Sequence, residues 1–364
     1  MRIGFLGSSL LSSYWNGAAT YYRGLLRALA AYGHDITFYE PDAYDRQSHR
    51  DIEPPPWCRS VVYAPDPTGV TSVLGALASA DVVIKASGVG VNDDALLAGM
   101  RTAARPDAVR IFWDVDAPAT LAEIGADVTH PVRGTLPWLD LVLTYGGGAP
   151  VVDAYRALGA RRCVPIYNAL DPATHYPVAP DARYRADLSF IGNRLSDREA
   201  RVDTFFLAAA AAMPSLKFLL GGAGWDDRAC PPNVRKLGHV PTNAHNAVNA
   251  SGRAILNISR ARMAAMGFSP ATRLFEVAGA GGCLLTDAWE GIGQFLQPGE
   301  EVLVVRDTVD VVEALRTLTP WRAAAIGAAA LRRVRADHTY DHRAATVHAV
   351  LTAALVARRT AGAV

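Results

Sequence analysis

The sequence has few lysines, few cysteines and no long apolar run, and these shortages exclude several classes of protein. The four cysteines stand far apart, with no C-x-x-C pair. A zinc ribbon or a redox dithiol is therefore disfavoured, and free thiols in a reducing compartment are expected. The apolar stretch 205–213 is too short to span a bilayer, and a predicted strand from Arg2 leaves no room for a signal peptide. We expect a cytoplasmic protein without a transmembrane segment.

Positive charge is not in excess. The chain has 36 lysine and arginine residues, only three of them lysine, against 35 aspartate and glutamate residues, for a net charge of +1. This balance argues against a dedicated nucleic-acid binder. Apolar residues, in contrast, make up half of the 364 positions. That content excludes a disordered chain, and the length suits two domains.

Short apolar runs alternate with helical patterns along the chain. In the first half, strands are predicted at residues 2–6, 36–39, 81–85, 109–113 and 141–145. After a polar, proline-containing linker at 166–177, strands are predicted at 187–191, 216–220, 253–258, 282–286 and 301–305. The pattern predicts an α/β protein with two Rossmann-like parallel-sheet domains facing each other across a cleft.

The linker sets the predicted domain boundaries. We expect one domain over residues 1–172, joined by a C-terminal helix at 340–364, and a second domain over residues 173–339. Ligands of such sheets bind beyond the carboxyl ends of the strands. Candidate site residues are therefore those that directly follow a strand.

Three segments of the first domain meet this condition. The loop that leads to Asn16 and Gly17 could hold an anion or a sugar against backbone amides, or be an ordinary connection; the G-x-G-x-x-G fingerprint is absent. Asp114 and Asp116 could supply a general base or orient a hydroxyl, could form a metal-binding D-x-D, or could cap the next helix. The glycines at 146–148 would allow close approach of a ligand, or form a flexible turn.

Two segments of the second domain carry arginines. Asn193, Arg194 and Arg198 follow its first predicted strand, and the guanidinium groups could clamp a diphosphate. Arg194 is the better candidate, because Arg198 could be a solvated helix residue.

A helix start at residues 269–276 is the richest segment. Ser269 as N-cap and Pro270 at the first helical position predict a positive helix end that could bind a phosphate. Arg273 lies one turn in, and Glu276, nearly two turns in, could bind the two hydroxyls of a ribose. The alternative is an Arg273–Glu276 pair on an exposed helix.

These segments resemble a known family. Residues 256–307, which include SPATRLFE, resemble the carboxyl-terminal domain of CgeB-type (spore-maturation-protein-like) bacterial glycosyltransferases, and residues 15–51 resemble their amino-terminal half. The resemblance implies a GT-B fold, in which the donor nucleotide binds mainly to the second domain and a final helix returns to the first.

The wider GT-B group with an E-x7-E motif implies that Glu276 binds the donor ribose. Its G-R-L element matches residues 192–195 with one inserted residue. Two positions depart from the pattern. Phe268 replaces the first glutamate, which removes a group often placed near the donor sugar. An arginine replaces the usual lysine after G-R-L.

The function favoured by the sequence is transfer of a sugar from a nucleotide-sugar donor to an unidentified acceptor, which could be a small molecule, a glycan or a protein. No metal or cofactor is expected, because arginines and a helix N-terminus can stabilise a leaving diphosphate. Two alternatives stay open: a nucleotide-sugar epimerase of the same fold, and a non-catalytic nucleotide- or sugar-binding protein.

Overall fold

The computed structural model describes residues 1–88 and 90–361, which form two compact units. The first is Met1–Tyr167 together with the final helix, and the second is Asn168–Thr339. The predicted domain boundary at residue 172 lies a few residues after the observed one, which follows Tyr167. The last three residues of the predicted stretch 340–364 lie outside the described residues.

The first unit contains a parallel sheet of seven strands. They are β1 Arg2–Leu6, β2 Asp35–Pro41, β3 Arg59–Tyr63, β4 Val82–Ala86, β5 Val109–Asp114, β6 Leu141–Thr144 and β7 Cys163–Pro165. The order is β3-β2-β1-β4-β5-β6-β7, and Ile3 of β1 lies opposite Ile36 and Val82 of its two neighbours. Every residue of β4 and β5 is buried, as expected for parallel strands covered on both faces.

Six helices connect these strands. They are α1 Ala18–Ala30, α2 Pro67–Ala76, α3 Asp93–Ala103, α4 Ala117–Ala126, α5 Pro131–Thr135 and α6 Gly148–Ala157, with a 3₁₀ turn at Leu77–Ser79. The predicted glycine turn forms the start of α6: Gly147 is its N-cap with a φ of 91°. A left-handed backbone there explains why glycine suits the position.

The second unit contains a parallel sheet of six strands. They are β8 Ala186–Ile191, β9 Phe218–Gly221, β10 Val234–Gly238, β11 Gly252–Asn257, β12 Leu284–Asp287 and β13 Leu303–Val305, in the order β10-β9-β8-β11-β12-β13. One core cluster packs Phe190, Phe206, Phe218 and Trp225 between the sheet and its helices.

The helices of the second unit follow its strands. They are α7 Ser196–Val202, α8 Ala208–Ala212, α9 Thr242–Ser251, α10 Ala261–Met266, α11 Thr272–Gly279, α12 Thr308–Thr317 and α13 Pro320–Asp337, with a π turn at Asp203–Leu207 and 3₁₀ turns at Ala182–Tyr184 and Ile292–Gln294. Pro320 begins α13, as predicted, and the Thr319 side chain caps it.

The final helix, α14 Tyr340–Ala361, belongs to the first unit and packs against α1. A Cβ atom on Gly24 of α1 would overlap the ring of Tyr340, so the absence of a side chain at this position permits the contact. Across the same interface, the imidazoles of His34 and His348 lie 3.0 Å apart between ring nitrogens.

The two parallel α/β sheets confirm the predicted fold class. In the part of the chain that the structure describes, no helix is long and apolar enough to cross a bilayer.

Candidate active site

The sheet order places a topological switch point in each unit, and ligand sites of such sheets lie there. In the first unit the switch lies between β1 and β4, and in the second unit it lies between β8 and β11. The residues after β8 include Asn193, Arg194 and Arg198. The predicted donor residues are therefore at the expected edge of the second sheet.

Arg194 is held by carboxylates of its own unit. It donates to Glu199 at 2.6 Å and to Asp227 at 3.0 Å, and these partners raise its pKa further. Asn193 accepts a hydrogen bond from the backbone amide of Ala223. These contacts order the loop after β8, but they already occupy the guanidinium that the sequence favoured for a diphosphate.

Arg198 has the more unusual environment. Its guanidinium lies over the ring of Phe190 and donates to the Asn193 carbonyl oxygen. Its Nε atom is buried and has no hydrogen-bond partner among the described residues. Burial, together with the positive charge of Arg273, lowers the pKa of Arg198 to about 10. A bound anion would reduce the repulsion between these two arginines and could accept from the buried donor.

The helix that carries Arg273 begins later than predicted. Helix α11 starts at Thr272 with Ala271 as its N-cap, and no side chain caps it. The prediction of Ser269 as the cap is wrong, because its hydroxyl donates instead to the carbonyl oxygen of Gly267 at 2.9 Å. Without a side-chain cap, the first amides of α11 stay available to an anion.

Arg273 and Glu276 lie together on α11, as the sequence suggested, but not on an exposed face. Their side chains are 14% and 10% exposed, and the closest guanidinium nitrogen and carboxylate oxygen are 3.7 Å apart. Although burial alone raises the pKa of Glu276, Coulombic interaction with His175 and Arg273 outweighs that effect, so the pKa lies below its usual value. Glu276 is therefore a buried, ionised carboxylate at neutral pH.

Two histidines that the sequence analysis did not single out complete this group. One ring nitrogen each of His175 and His245 and a carboxylate oxygen of Glu276 all lie within 4.8 Å of one another. It is the one group in the described residues with a donor set that could hold a metal ion. His175 lies in the predicted linker and His245 on α9. No spacing in the sequence connects them, since only the tertiary fold brings them together.

Asp114 lies at the end of β5 in the first unit and is completely buried. Its carboxylate accepts hydrogen bonds from the hydroxyls of Ser87, Thr120 and Tyr155 and from the amide of Asp116. Burial raises the pKa of Asp114, and these four donors oppose the shift. A carboxylate enclosed by donors is typical of a structural role.

Asp116 is half-buried and forms the N-cap of α4, without a side-chain cap hydrogen bond. It is the more accessible of the two predicted carboxylates. Since the Asp114 carboxylate is already saturated with hydrogen bonds, the pair does not present two oxygen ligands side by side, which disfavours a D-x-D metal site at this position.

Asn16 is buried within the loop after β1. Its amide nitrogen donates to the carbonyl oxygens of Ser9 and Ser12, whereas Gly17 is exposed, with open space where a side chain would stand. The same loop is tied to Glu40, whose carboxylate accepts from the amides of Leu10 and Leu11 and the hydroxyl of Ser9. Glu40 is a positioning residue that the sequence analysis did not identify.

Residues 198–349 match a protein-family model described as glycosyl transferase-like. Comparison with curated protein sequences finds no significant match.

Among solved structures, the chain is similar to sucrose-phosphate synthase from Thermosynechococcus elongatus, with a TM-score of 0.70 and 15% identity, covering 98% of this chain and 100% of that one. It is also similar to HepE of Anabaena in complex with UDP-glucose, with a TM-score of 0.67 and 12% identity, covering 97% and 100%. A third is an E. coli structure described as trehalose-6-phosphate bound with UDP-2-fluoro glucose, with a TM-score of 0.66 and 11% identity, covering 96% and 99%.

The matches span almost the whole of this chain and of these neighbours, and at these identities they establish the fold. The matched family model covers the part of the second unit that contains Arg198, Arg273 and Glu276. The chain thus has the GT-B fold and contains a glycosyl transferase-like domain, which confirms the predicted fold and the predicted enzyme class, a glycosyltransferase of GT-B type.

Proposed function

We propose that this chain transfers a hexose or related sugar from a nucleotide-sugar donor to an acceptor hydroxyl, without a metal ion, and that it is of the CgeB type. The observation that carries the proposal is a group on the second unit. Two of its arginines have a buried donor atom without a hydrogen-bond partner in the described part of the chain, Nε of Arg198 and one Nη of Arg273, and the buried carboxylate of Glu276 lies with them. This combination suits a ligand that bears both phosphate oxygens and sugar hydroxyls.

Each residue of the group has a distinct role in the proposal. Arg198 and Arg273 bind the diphosphate, supported by the uncapped start of α11, and Glu276 accepts from the ribose hydroxyls. Positive charge at this position also stabilises the diphosphate as it departs, which is the role that a metal ion plays in other transferases. Arg194, paired with Glu199 and Asp227, orders the loop without binding phosphate itself.

At the anomeric carbon the reaction forms one bond and breaks one, and a proton is transferred from the acceptor. The acceptor oxygen bonds to the anomeric carbon of the donor sugar, the bond from that carbon to the phosphate oxygen breaks, and the nucleoside diphosphate leaves. The acceptor hydroxyl loses its proton to a general base, for which the half-buried carboxylate of Asp116 is the better candidate than Asp114. The first unit is thereby proposed as the acceptor-side domain and the second as the donor domain.

Calorimetry with nucleoside diphosphates, in excess EDTA, tests the donor site. UDP is the first probe, because two of the structural neighbours are described as complexes with UDP-sugars; ADP, GDP and dTDP complete the panel. We expect one nucleotide to bind with unchanged affinity after chelation. Binding that disappears with EDTA and returns with Mn²⁺ would contradict metal independence, and no binding of any member would contradict the donor site.

A turnover assay separates the three candidate activities. Slow hydrolysis of the matching nucleotide sugar, with water in place of the acceptor, is expected of a transferase. Conversion of the nucleotide sugar to its epimer would support the epimerase alternative. Tight binding without either reaction, and without transfer to any of a panel of acceptors, would support the non-catalytic alternative.

A further inference from the structure

Three hydrogen-bond acceptors converge beside the start of α11. His175 is 2% exposed and Glu276 is 8% exposed. The Nε2 atom of His175, the Nδ1 atom of His245 and the Oε2 atom of Glu276 are all buried, with no hydrogen-bond partner among the described residues. Buried polar atoms without partners are rare in folded proteins, and they are a frequent mark of a ligand site.

The contact of the Nε2 atom of His245 shows which of its two ring nitrogens carries the hydrogen. Its Nε2 atom lies 3.3 Å from the carbonyl oxygen of Val240, and a carbonyl oxygen can only accept, so Nε2 carries the hydrogen. Burial, followed by the charge of Arg273, lowers the pKa of His245 to about 4. At neutral pH the ring is uncharged, and its Nδ1 atom presents a lone pair to the group.

The same argument applies to His175. The hydroxyl of Thr174 donates to the carbonyl oxygen of Asp171 at 3.2 Å, and it lies 3.0 Å from Nδ1 of His175. A hydroxyl that donates to the carbonyl oxygen accepts from the ring, and this arrangement places the ring hydrogen on Nδ1 of His175. In that tautomer the Nε2 atom of His175 presents its lone pair to the group, beside Nδ1 of His245 and the Glu276 carboxylate.

A group in which these atoms present lone pairs suits either a cation or a ligand that donates hydrogens. A divalent cation is disfavoured by Arg273, whose guanidinium already lies 3.7 Å from the Glu276 carboxylate and would repel a second positive charge. A pair of neighbouring hydroxyls brings two donors with no net charge. Each hydroxyl reaches an acceptor about 2.8 Å away, which suits acceptors gathered within 4.8 Å.

We propose that His175 and His245 join Glu276 in binding the vicinal hydroxyls of the donor ribose, and that these two histidines are specificity-determining residues that select ribonucleotides over their deoxy counterparts. The inference rests on the proposed function, which places the ribose at Glu276, and it adds the two histidines to that subsite. A site that provides buried acceptors rejects a ligand without the matching hydroxyls, because the acceptors would then stay unpaired.

The experiment compares UDP with 2′,3′-dideoxy-UDP, or the equivalent pair for whichever nucleoside diphosphate binds the unmodified protein. Dissociation constants are measured by calorimetry in EDTA for the unmodified chain, His175→Ala and His245→Ala. We expect each substitution to weaken the binding of the ribonucleotide by about threefold to tenfold, which corresponds to the loss of one hydrogen bond. The affinity for the dideoxy ligand should stay within twofold.

Two further variants keep the acceptor and remove the ring. In His175→Gln the side-chain amide can place an oxygen near the position of Nε2, and in His245→Asn it can place one near the position of Nδ1. Both should recover part of the lost discrimination between the two ligands. His239→Ala, on an exposed residue just before α9, is the matched control and should change neither affinity, and melting temperatures identify any variant that fails to fold.

Several outcomes would overturn the inference. Equal weakening of the binding of both ligands would show that the histidines only support the local structure. An unchanged affinity for the ribonucleotide would show that the histidines do not contact this ligand. Equimolar Zn²⁺ that raises the melting temperature of the unmodified chain, but not of the alanine variants, would indicate a metal site. If Glu276→Ala discriminates between the ligands and the histidine variants do not, the inference fails alone; if no nucleotide binds at all, the proposed function fails with it.

Discussion

Arg273 and Glu276 stand three residues apart on α11, and a guanidinium nitrogen of the first lies 3.7 Å from a carboxylate oxygen of the second. At this distance the pair attracts without a direct hydrogen bond. Interaction with His175, and next with the guanidinium of Arg273, lowers the pKa of the Glu276 carboxyl. Arg273 and Glu276 nevertheless keep hydrogen-bonding capacity for a ligand. A stability role and a binding role for Glu276 therefore predict different experimental results.

Glu276→Ala should weaken the binding of UDP, or of the ribonucleotide that binds, by about tenfold to a hundredfold. The reason is that hydrogen bonds to a charged acceptor contribute about 1.5–3 kcal/mol, and about 1.4 kcal/mol is a factor of ten. The loss should largely disappear for the 2′,3′-dideoxy ligand. Glu313→Ala, on an exposed position of α12, is the control. A lower melting temperature with an unchanged dissociation constant would show that Glu276 acts only through its pair with Arg273.

Arg198→Ala and Arg194→Ala form a matched pair, since both residues follow β8. Arg198→Ala should weaken nucleoside diphosphate binding by about tenfold to a hundredfold through lost charge-assisted hydrogen bonds. Arg194→Ala should leave the affinity within threefold and should change the free energy of unfolding only slightly, because solvent-accessible ion pairs contribute little to stability. Calorimetry and chemical denaturation provide the two measurements. The reverse order of affinities would restore the role that the sequence suggested for Arg194.

Asp114→Asn and Asp116→Asn should separate structure from catalysis. An amide at position 114 cannot satisfy all four donors that surround it, and one unsatisfied buried group costs about 1–3 kcal/mol of unfolding free energy. Asp116→Asn should leave the stability and the nucleotide affinity nearly unchanged. It should lower the rate of sugar transfer from the donor by about a hundredfold, which is the lower end of the range for loss of a general base. A stable Asp116→Asn variant with full activity on the true acceptor would exclude this residue as the base.

The stability of the chain should fall as the pH drops from 6.5 towards 4. Burial lowers the pKa of His34 to about 4, helped by the N-terminal amino group and His348, whereas an unfolded histidine titrates near 6.5. In that window the unfolded chain binds more protons than the folded one, so the free energy of unfolding rises with pH.

Replacement of His34 by glutamine tests this assignment. The melting temperature of His34→Gln should depend less steeply on pH between 4.5 and 6.5 than that of the unmodified chain, with His239→Gln as an exposed control. Part of the slope should persist, since the pKa of the second buried imidazole, His245, is lowered to the same range. An identical slope in both variants would show that His34 does not contribute to the acid sensitivity.

The sequence predicted the central strands well and the edges poorly. The residues of β4 and β5 are all buried, and apart from Lys85, Arg110 and the terminal Asp114 they are apolar, so both strands are easily recognised. The edge strands β3 and β10 were not predicted, because they contain residues such as Arg59, Arg235 and Lys236 and are mostly half-exposed. An edge strand has one neighbour and tolerates polar side chains, and the apolar signal is lost there.

The candidate site was predictable only where a local motif exists. Arg273 and Glu276 share one helix, and their spacing shows them on neighbouring turns. His175 and His245 come from separate segments, and nothing in either segment indicates the other. Ser269 was misassigned for a related reason: a Ser-Pro pair favours a helix start, but the contact of its hydroxyl with Gly267 depends on the fold of the preceding turn.

The packing of α14 against α1 has a consequence for the order of events during synthesis. The second unit is continuous, Asn168–Thr339, whereas the first requires residues from both sides of it in the chain. A nascent chain therefore has the complete second unit while the groove for Tyr340 beside Gly24 is still unfilled. On the ribosome, the usual amino-to-carboxyl order of domain maturation is expected to be reversed: the later unit matures first, and the earlier one keeps an apolar surface exposed until residues 340–361 have been synthesised.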